Sequence, residues 1–300
     1  MGRNKQLHIL NNNQNKAVMR QFIYLTLAIV LMSCSKDNEF TTPQDTVPFT
    51  FSMKGDFTIS TTPMTRALSA DGKDLTDLWV LDYMNNTLVQ QLHQVSTDDN
   101  FGTPTMNLNV GSHHIYFIAS RGKTPTLDTE NTVISWSQVS DTFYKDYTVN
   151  VVPTSNGNRE VTLDRVVTKV KFIVTDKIPE GAATANITPV KWYYGINYVS
   201  GAPADQKDNT ALSLTIPNDC IGINNFGATM FGFSTTEEWN TNINFSIKKS
   251  DDTVLGQTTI ENVPFKANRS SELSGPLFIS NSLMTLTLND VWTDAYSTTW

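Results

Sequence analysis

The chain has 300 residues, with 22 Lys and Arg against 29 Asp and Glu and a formal net charge of −7. That acidic surplus repels a phosphate backbone, which excludes nucleic acid as a partner. Four histidines and two cysteines fall in no metalloprotease, zinc-finger or C-x-x-C spacing, so neither a metal nor a redox cofactor is expected.

The first element is the apolar run Phe22 to Met32, preceded by Lys16 and Arg20 and followed by Ser33, Cys34 and the polar Ser35-Lys36-Asp37-Asn38-Glu39. The run is shorter than the roughly 17–25 residues that span a bilayer. Its order, basic then apolar then small, is that of an export signal. Leu31-Met32-Ser33-Cys34 resembles a lipobox, which implies cleavage before Cys34 and acylation of that residue. Each buried CH₂ contributes ~0.8 kcal/mol, so several acyl chains hold a protein firmly to a membrane. The other reading is an internal helix ending at a buried cysteine, although nothing downstream has a comparable apolar run. The expected layout is thus a signal over residues 1–33, starting at Met1 or Met19, and a polar tether over 34–46. Ser35 to Glu39 resembles the acidic tag that routes lipoproteins to the outer face of the outer membrane, and a solvated linker has a similar composition. Losing Arg3, Lys5, Lys16 and Arg20 with the signal takes the charge from −7 to −11. An acylated Cys34 leaves Cys220 without a disulfide partner, as either a reactive thiol or a small buried hydrophobe.

Period-two alternation then begins. Val47, Phe49, Phe51 and Met53 line one face of a strand, and Pro48 predicts a sheet edge. Phe57 and Ile59 continue it past Lys54-Gly55, before the exposed-looking Thr61 to Ala67. Thr76 to Tyr83 is apolar on both faces, as a central strand is, and Asn85-Asn86 turns the chain into Leu88–Leu92. Strands follow at 105–110, 114–119, 132–136 and 147–152. Asn156-Gly157 predicts a two-residue hairpin into Glu160–Leu163. The pattern restarts after Asp164, which divides the mature chain into domains over 47–164 and 165–300. The second half has strands at 170–174, 190–194, 211–216, 228–233, 243–247, 253–260, 276–279 and 282–288. Many short strands with closely spaced turns and no long helix predict an all-β fold of sandwiches or barrels.

No set of residues for catalysis emerges. His113 and His114 point to opposite faces of a strand and cannot chelate together; one is expected solvated and one packed. Asp98-Asp99, Glu237-Glu238 and Asp251-Asp252 fit solvated loops and turns. There is no G-x-S-x-G elbow and no phosphate-cradling glycine loop. Trp192, Tyr193 and Tyr194 are the candidates for stacking on a glycan, against the usual core role of strand aromatics.

Several ordered segments resemble the fimbrillin family, the lipoprotein-derived pilus subunits of Gram-negative anaerobes. They are Leu75 to Tyr83, Val110 to Ser120, Leu163 to Phe172, Val263 to Asn268 and Leu273 to Phe278. The resemblance implies two tandem transthyretin-like β-sandwich domains and a lipid-anchored protein exposed on the cell outer membrane and in the fimbrium. Its partners would be other fimbrial subunits and a host or bacterial surface ligand. It also implies a protease cut after Arg66, before Ala67, and a groove that accepts a strand from the next subunit; an anchor subunit would stay uncut. Met284, Leu286, Leu288, Val291 and Trp292 form a candidate donor strand, which otherwise completes its own second domain. Surface glycan binding by a lipoprotein is the alternative function.

Overall fold

The computed structural model describes residues 46–55, 75–122, 124–279 and 283–290. In chain order the first ten strands are β1 (Thr46–Lys54), β2 (Asp77–Met84), β3 (Thr87–Val95), β4 (Thr105–Asn109), β5 (Gly111–Ser120), β6 (Thr126–Asp128), β7 (Val133–Ser135), β8 (Thr142–Val151), β9 (Asn158–Thr162) and β10 (Asp164–Arg165). They are followed by β11 (Val167–Val174), β12 (Thr184–Pro189), β13 (Lys191–Asn197), β14 (Ala202–Asp208), β15 (Leu212–Thr215), β16 (Phe226–Phe233), β17 (Trp239–Lys248), β18 (Val254–Phe265), β19 (Ser270–Gly275) and β20 (Thr285–Asn289). The only helical turn among the described residues is Asn218–Cys220. The fold is all-β and sandwich-like, and no described helix is long and apolar enough to cross a membrane.

Alternating side chains build the first core. Phe49, Phe51 and Leu108 from the sheet β4-β1-β9 meet Leu78, Val80, Ile115, Phe117 and Phe143 from the sheet β10-β8-β5-β2-β3. The other face of the five-stranded sheet is buried too, because Leu81, Tyr83, Tyr116 and Ile118 belong to the second core. This explains the two apolar faces of β2. The Asn85-Asn86 turn takes φ of 48° and 61° at its two residues, the left-handed pair of a tight hairpin between β2 and β3.

The second core lies between β16-β11-β19-β20 and β15-β12-β17-β18, with Phe172 and Phe245 stacked at 4.3 Å across it. A fifth sheet, β14-β13-β7-β6, mixes strands from either side of Asp164: β7 pairs with β13 through Ser135↔Gly195 and Val133↔Asn197. Beside it the Tyr83 and Tyr198 hydroxyls lie 2.9 Å apart, and the Tyr144 hydroxyl donates to the Tyr198 carbonyl at 2.8 Å. The described residues fall in one compact unit.

Three local expectations are corrected. First, β1 is not an edge strand, since it runs between β4 and β9. Even-numbered amides of β1 face β9, as Thr50 N donating to Gly157 O does, but β9 pairs only from Thr50 onward. Pro48 therefore lacks its donor where no β9 residue has yet arrived, so an interior strand tolerates it. Second, Asn156-Gly157 makes no hairpin: β9 leaves the sheet of β8 and joins β1 in parallel. Glycine is required at 157 because a Cβ there would sit 1.8 Å from the Pro48 carbonyl oxygen. Third, residues 276–279 are not a strand. The Asp176 carboxylate takes the Leu277 and Phe278 amides at 2.7 and 2.9 Å, diverting them from any ladder.

Candidate functional site

The strand β20 ends the described chain and lies at the edge of its sheet. It pairs antiparallel with β19 from Ser274↔Thr285 to Ser270↔Asn289, while β11 occupies the other side of β19. The sequence Thr285-Leu286-Thr287-Leu288 has the alternation and β-branching of a strand. It carries none of the lysine, proline or bulge that blunts natural edges. Gly275 lets it approach, since a Cβ there would lie 2.6 Å from the Leu283 carbonyl oxygen. Met284 packs against the core, yet all five residues of β20 are exposed. Leu286 is 37% and Leu288 42% exposed, and Leu283 just before them is 84% exposed. Backbone pairing holds this strand, and its leucines are covered over little more than half of their surface.

One ionic anchor sits at its end. Asp290 Oδ1 accepts from Arg269 Nε at 2.6 Å, and its Oδ2 lies 3.3 Å from Lys266 Nζ. Arg269 also bonds to Glu238 on the neighbouring sheet's side of the chain. The Arg269 hydrogen bond, then that of Lys266, hold the Asp290 carboxyl below its ordinary value. A lowered folded value means the anchor contributes above the ordinary carboxylate range and is lost as pH falls through the lowered value. The end of β20 should therefore loosen below about pH 4. In an acid titration followed by two-dimensional NMR, β20 amide shifts should move with Asp290. The same movement in Asp290→Asn would refute this.

At the other end of the described chain, β1 is the opposite case. Phe49 and Phe51 are fully buried, and Val47 and Met53 nearly so. The Phe51 ring meets Phe117 edge-on at 5.1 Å, and the Arg159 guanidinium lies 5.0 Å over Phe49. Removing β1 would part β4 from β9 and open a slot shaped for an alternating apolar strand. Arg66 and Ala67 lie outside the described residues, as do Cys34, Val291 and Trp292.

The aromatic triplet does not form a surface platform, because alternation sends Trp192 and Tyr194 inward and Tyr193 to the other face. Trp192 is fully buried; its Nε1 donates to Phe231 O at 2.9 Å and its ring meets Phe265 at 5.0 Å. Tyr194 is buried, which pushes its phenol up. Only Tyr193 stays half-buried, edge-on to the half-buried Trp239 at 5.7 Å, with Lys191 Nζ 5.1 Å over the Tyr193 ring. Trp239 comes from β17, about fifty residues away, so no local sequence signal pointed to it.

The remaining chemistry-bearing groups are structural. His113 is fully buried between Asp82 Oδ1 at 2.7 Å and Asn109 O at 2.8 Å, whereas the His114 side chain is exposed. Cys220 is half-buried beside a cavity of about 260 Å³ lined also by Asp219, Ile223 and Asn225. Burial pushes its thiol up, away from the thiolate that a nucleophile needs. Among the described residues, no three His, Cys, Asp or Glu side chains converge as metal ligands.

No family profile matches the sequence, and no curated protein does. The fold is similar to that of a candidate polysaccharide-binding protein from Bacteroides thetaiotaomicron, with a TM-score of 0.51 at 11% identity over 81% of this chain and 96% of that one. A candidate adhesin from Bacteroides ovatus gives 0.49 at 9% identity, covering 81% and 96%. The C-terminally truncated tip fimbrial protein of Porphyromonas gingivalis gives 0.44 at 10% identity, covering 81% and 99%. At such identities the likeness concerns the fold alone, and the all-β, sandwich-like architecture is the one that the fimbrillin resemblance implies.

Proposed function

We propose that this chain is an adhesion-related surface protein that acts without catalysis. It serves as a fimbrial structural or anchor subunit, held to the outer membrane by a lipid on Cys34 and joined to related subunits by strand exchange. Its sandwiches correspond to residues 47–164 and 165–300. The observation that carries this reading is β20, an ordered, uncharged edge strand whose leucines remain exposed. Burying the remaining exposed two-fifths of Leu286 and Leu288 in another subunit would contribute about 1–2 kcal/mol, beside the backbone hydrogen bonds of an added strand. The strand is already extended in the free protein, and the ladder to β19 that it gives up on entering the slot is replaced by ladders to β4 and β9. The slot that β1 would vacate after a cut at Arg66 is the complementary feature. The candidate polysaccharide-binding protein of similar fold is consistent with a surface role.

Trypsin treatment of the full chain tests the proposal: cleavage after Arg66 should yield higher oligomers. Changing Leu286 and Leu288 together to Asp should cost the monomer about 1–2 kcal/mol per site, since each side chain is already more than half covered and aspartate is a poor strand former. The same change should abolish assembly after cleavage. Oligomers that form equally well from this variant would remove β20 from the mechanism.

A second reading is glycan binding at the Tyr193–Trp239 pair, favoured by the half-exposed rings and the adjacent Lys191. On a glycan array, Tyr193→Ala and Trp239→Ala should then lose binding that the leucine variant keeps.

A further inference from the structure

The five-stranded sheet carries a polar cluster on the face it turns toward the second core. Asp77 of β2 and Ser120 of β5 are directly opposed across the strand pair. Trp79 follows two residues along β2, on the same face, opposite His93 of β3. Asp77 is 2% and Ser120 1% exposed. Asp77 Oδ1, Ser120 Oγ and Trp79 Nε1 are all shielded from solvent, and none has a hydrogen-bond partner within the protein. The rest of the cluster is satisfied: His93 Nε2 lies 3.0 Å from Asp77 Oδ2, and its ring stacks on Trp79 at 4.1 Å with the planes 10° apart.

Buried polar atoms are almost always paired, so three unpaired atoms from neighbouring positions on one sheet face define a binding requirement. An indole N–H only donates, an ionised carboxylate oxygen only accepts, and a hydroxyl does either. A metal cation would face the positive end of the indole N–H, and an anion would face Asp77. The species that accepts from Trp79, donates to Asp77 and exchanges a bond with Ser120 is a small neutral molecule with both capacities. Directly opposed residues have Cβ atoms about 5 Å apart, a gap that one bridging molecule with bonds of about 2.8 Å spans. We propose that Asp77, Ser120 and Trp79 bind one internal water, which joins β2 to β5 and completes the hydrogen bonding of the carboxylate that His93 holds from the other side.

The probe is water itself. In the full chain, the indole proton of Trp79, assigned by its disappearance in Trp79→Phe, should give a cross-peak to a long-lived water in two-dimensional NMR. Ser120→Ala should weaken that cross-peak and reduce the folding equilibrium constant about fivefold, because the water then loses a partner. Asp77→Asn, which keeps the size of the side chain, should weaken it as well. The absence of any water cross-peak overturns the site. So does a cross-peak that keeps its full intensity in both Ser120→Ala and Asp77→Asn, since the water would then lie elsewhere.

Discussion

Replacing Asp141 by alanine should destabilise the protein by about 3–5 kcal/mol, the cost of leaving a buried charge without its partner. Asp141 is 2% exposed. Its carboxylate takes Arg165 in a two-pronged contact, Nε at 2.7 Å and Nη2 at 3.0 Å, and lies 3.5 Å from Arg121 Nη1. Both guanidinium groups approach the Phe143 ring, at 4.9 and 5.9 Å. Arg165 Nη1 also donates to Asn268 Oδ1 at 3.0 Å, which ties β10 to the loop before β19. The pair Lys145–Asp164 is an internal control: Asp164 is next to Arg165 in the chain, but the side chains of the pair are 38% and 70% exposed. Asp164→Ala should cost no more than about 0.5 kcal/mol. Denaturant midpoints at constant slope measure both effects, and equal losses would mean that burial is not what makes the Asp141 contact matter.

Much of this architecture was legible because burial imposes a period of two. The β1 row of Val47, Phe49, Phe51 and Met53, the doubly apolar β2 and the Asn85-Asn86 turn each announce themselves through side-chain alternation or a tolerance for positive φ. The split between buried His113 and exposed His114 follows from the same rule, as does the burial of Trp192 and Tyr194. The strands that escaped notice are those that their neighbours specify. In β14, Ala202 to Asp208 show no apolar alternation and pair along the outer edge of β13. In β19, Ser270 and Ser271 are buried because the strand lies between β11 and β20 and not because serine prefers it; the Ser271 hydroxyl donates to the Pro264 carbonyl at 2.9 Å. For the candidate site, alternation disclosed β20 but could not say that its leucines stay exposed. The Arg165–Asn268 and Arg269–Asp290 contacts join residues 103 and 21 positions apart, and no local pattern encodes such a separation.

Gly157→Ala should be as damaging as the loss of Asp141, although it adds a single methyl group. The new Cβ would lie 1.8 Å from the Pro48 carbonyl oxygen, 2.8 Å from its carbon and 3.1 Å from Phe49 Cα. All three are backbone atoms of a strand fixed on its other side by β4, so no side chain can swing away. Relief requires β9 to retreat from β1, which breaks the bond from Thr50 N to Gly157 O and loosens the parallel ladder behind it. The expected cost is about 3 kcal/mol or more, at the upper end for overpacking. Gly227→Ala on β16 is the comparison, because its nearest neighbours would be 3.9 Å away; it should be neutral or slightly stabilising, since glycine is a poor strand former. Thermal melts of the two variants should differ by about six to twelve degrees in a unit of this size only if β1 and β9 are packed as closely as the geometry requires. The same closeness bears on assembly. A strand held on both sides cannot peel away from an edge, so any exchange that uses its slot must begin with a covalent cut. An intact chain carrying Gly157→Ala loosens β9 but keeps β1 paired with β4, so it and the uncut parent chain should both refuse an added peptide of sequence 283–290, which the slot admits only once β1 has been cut away.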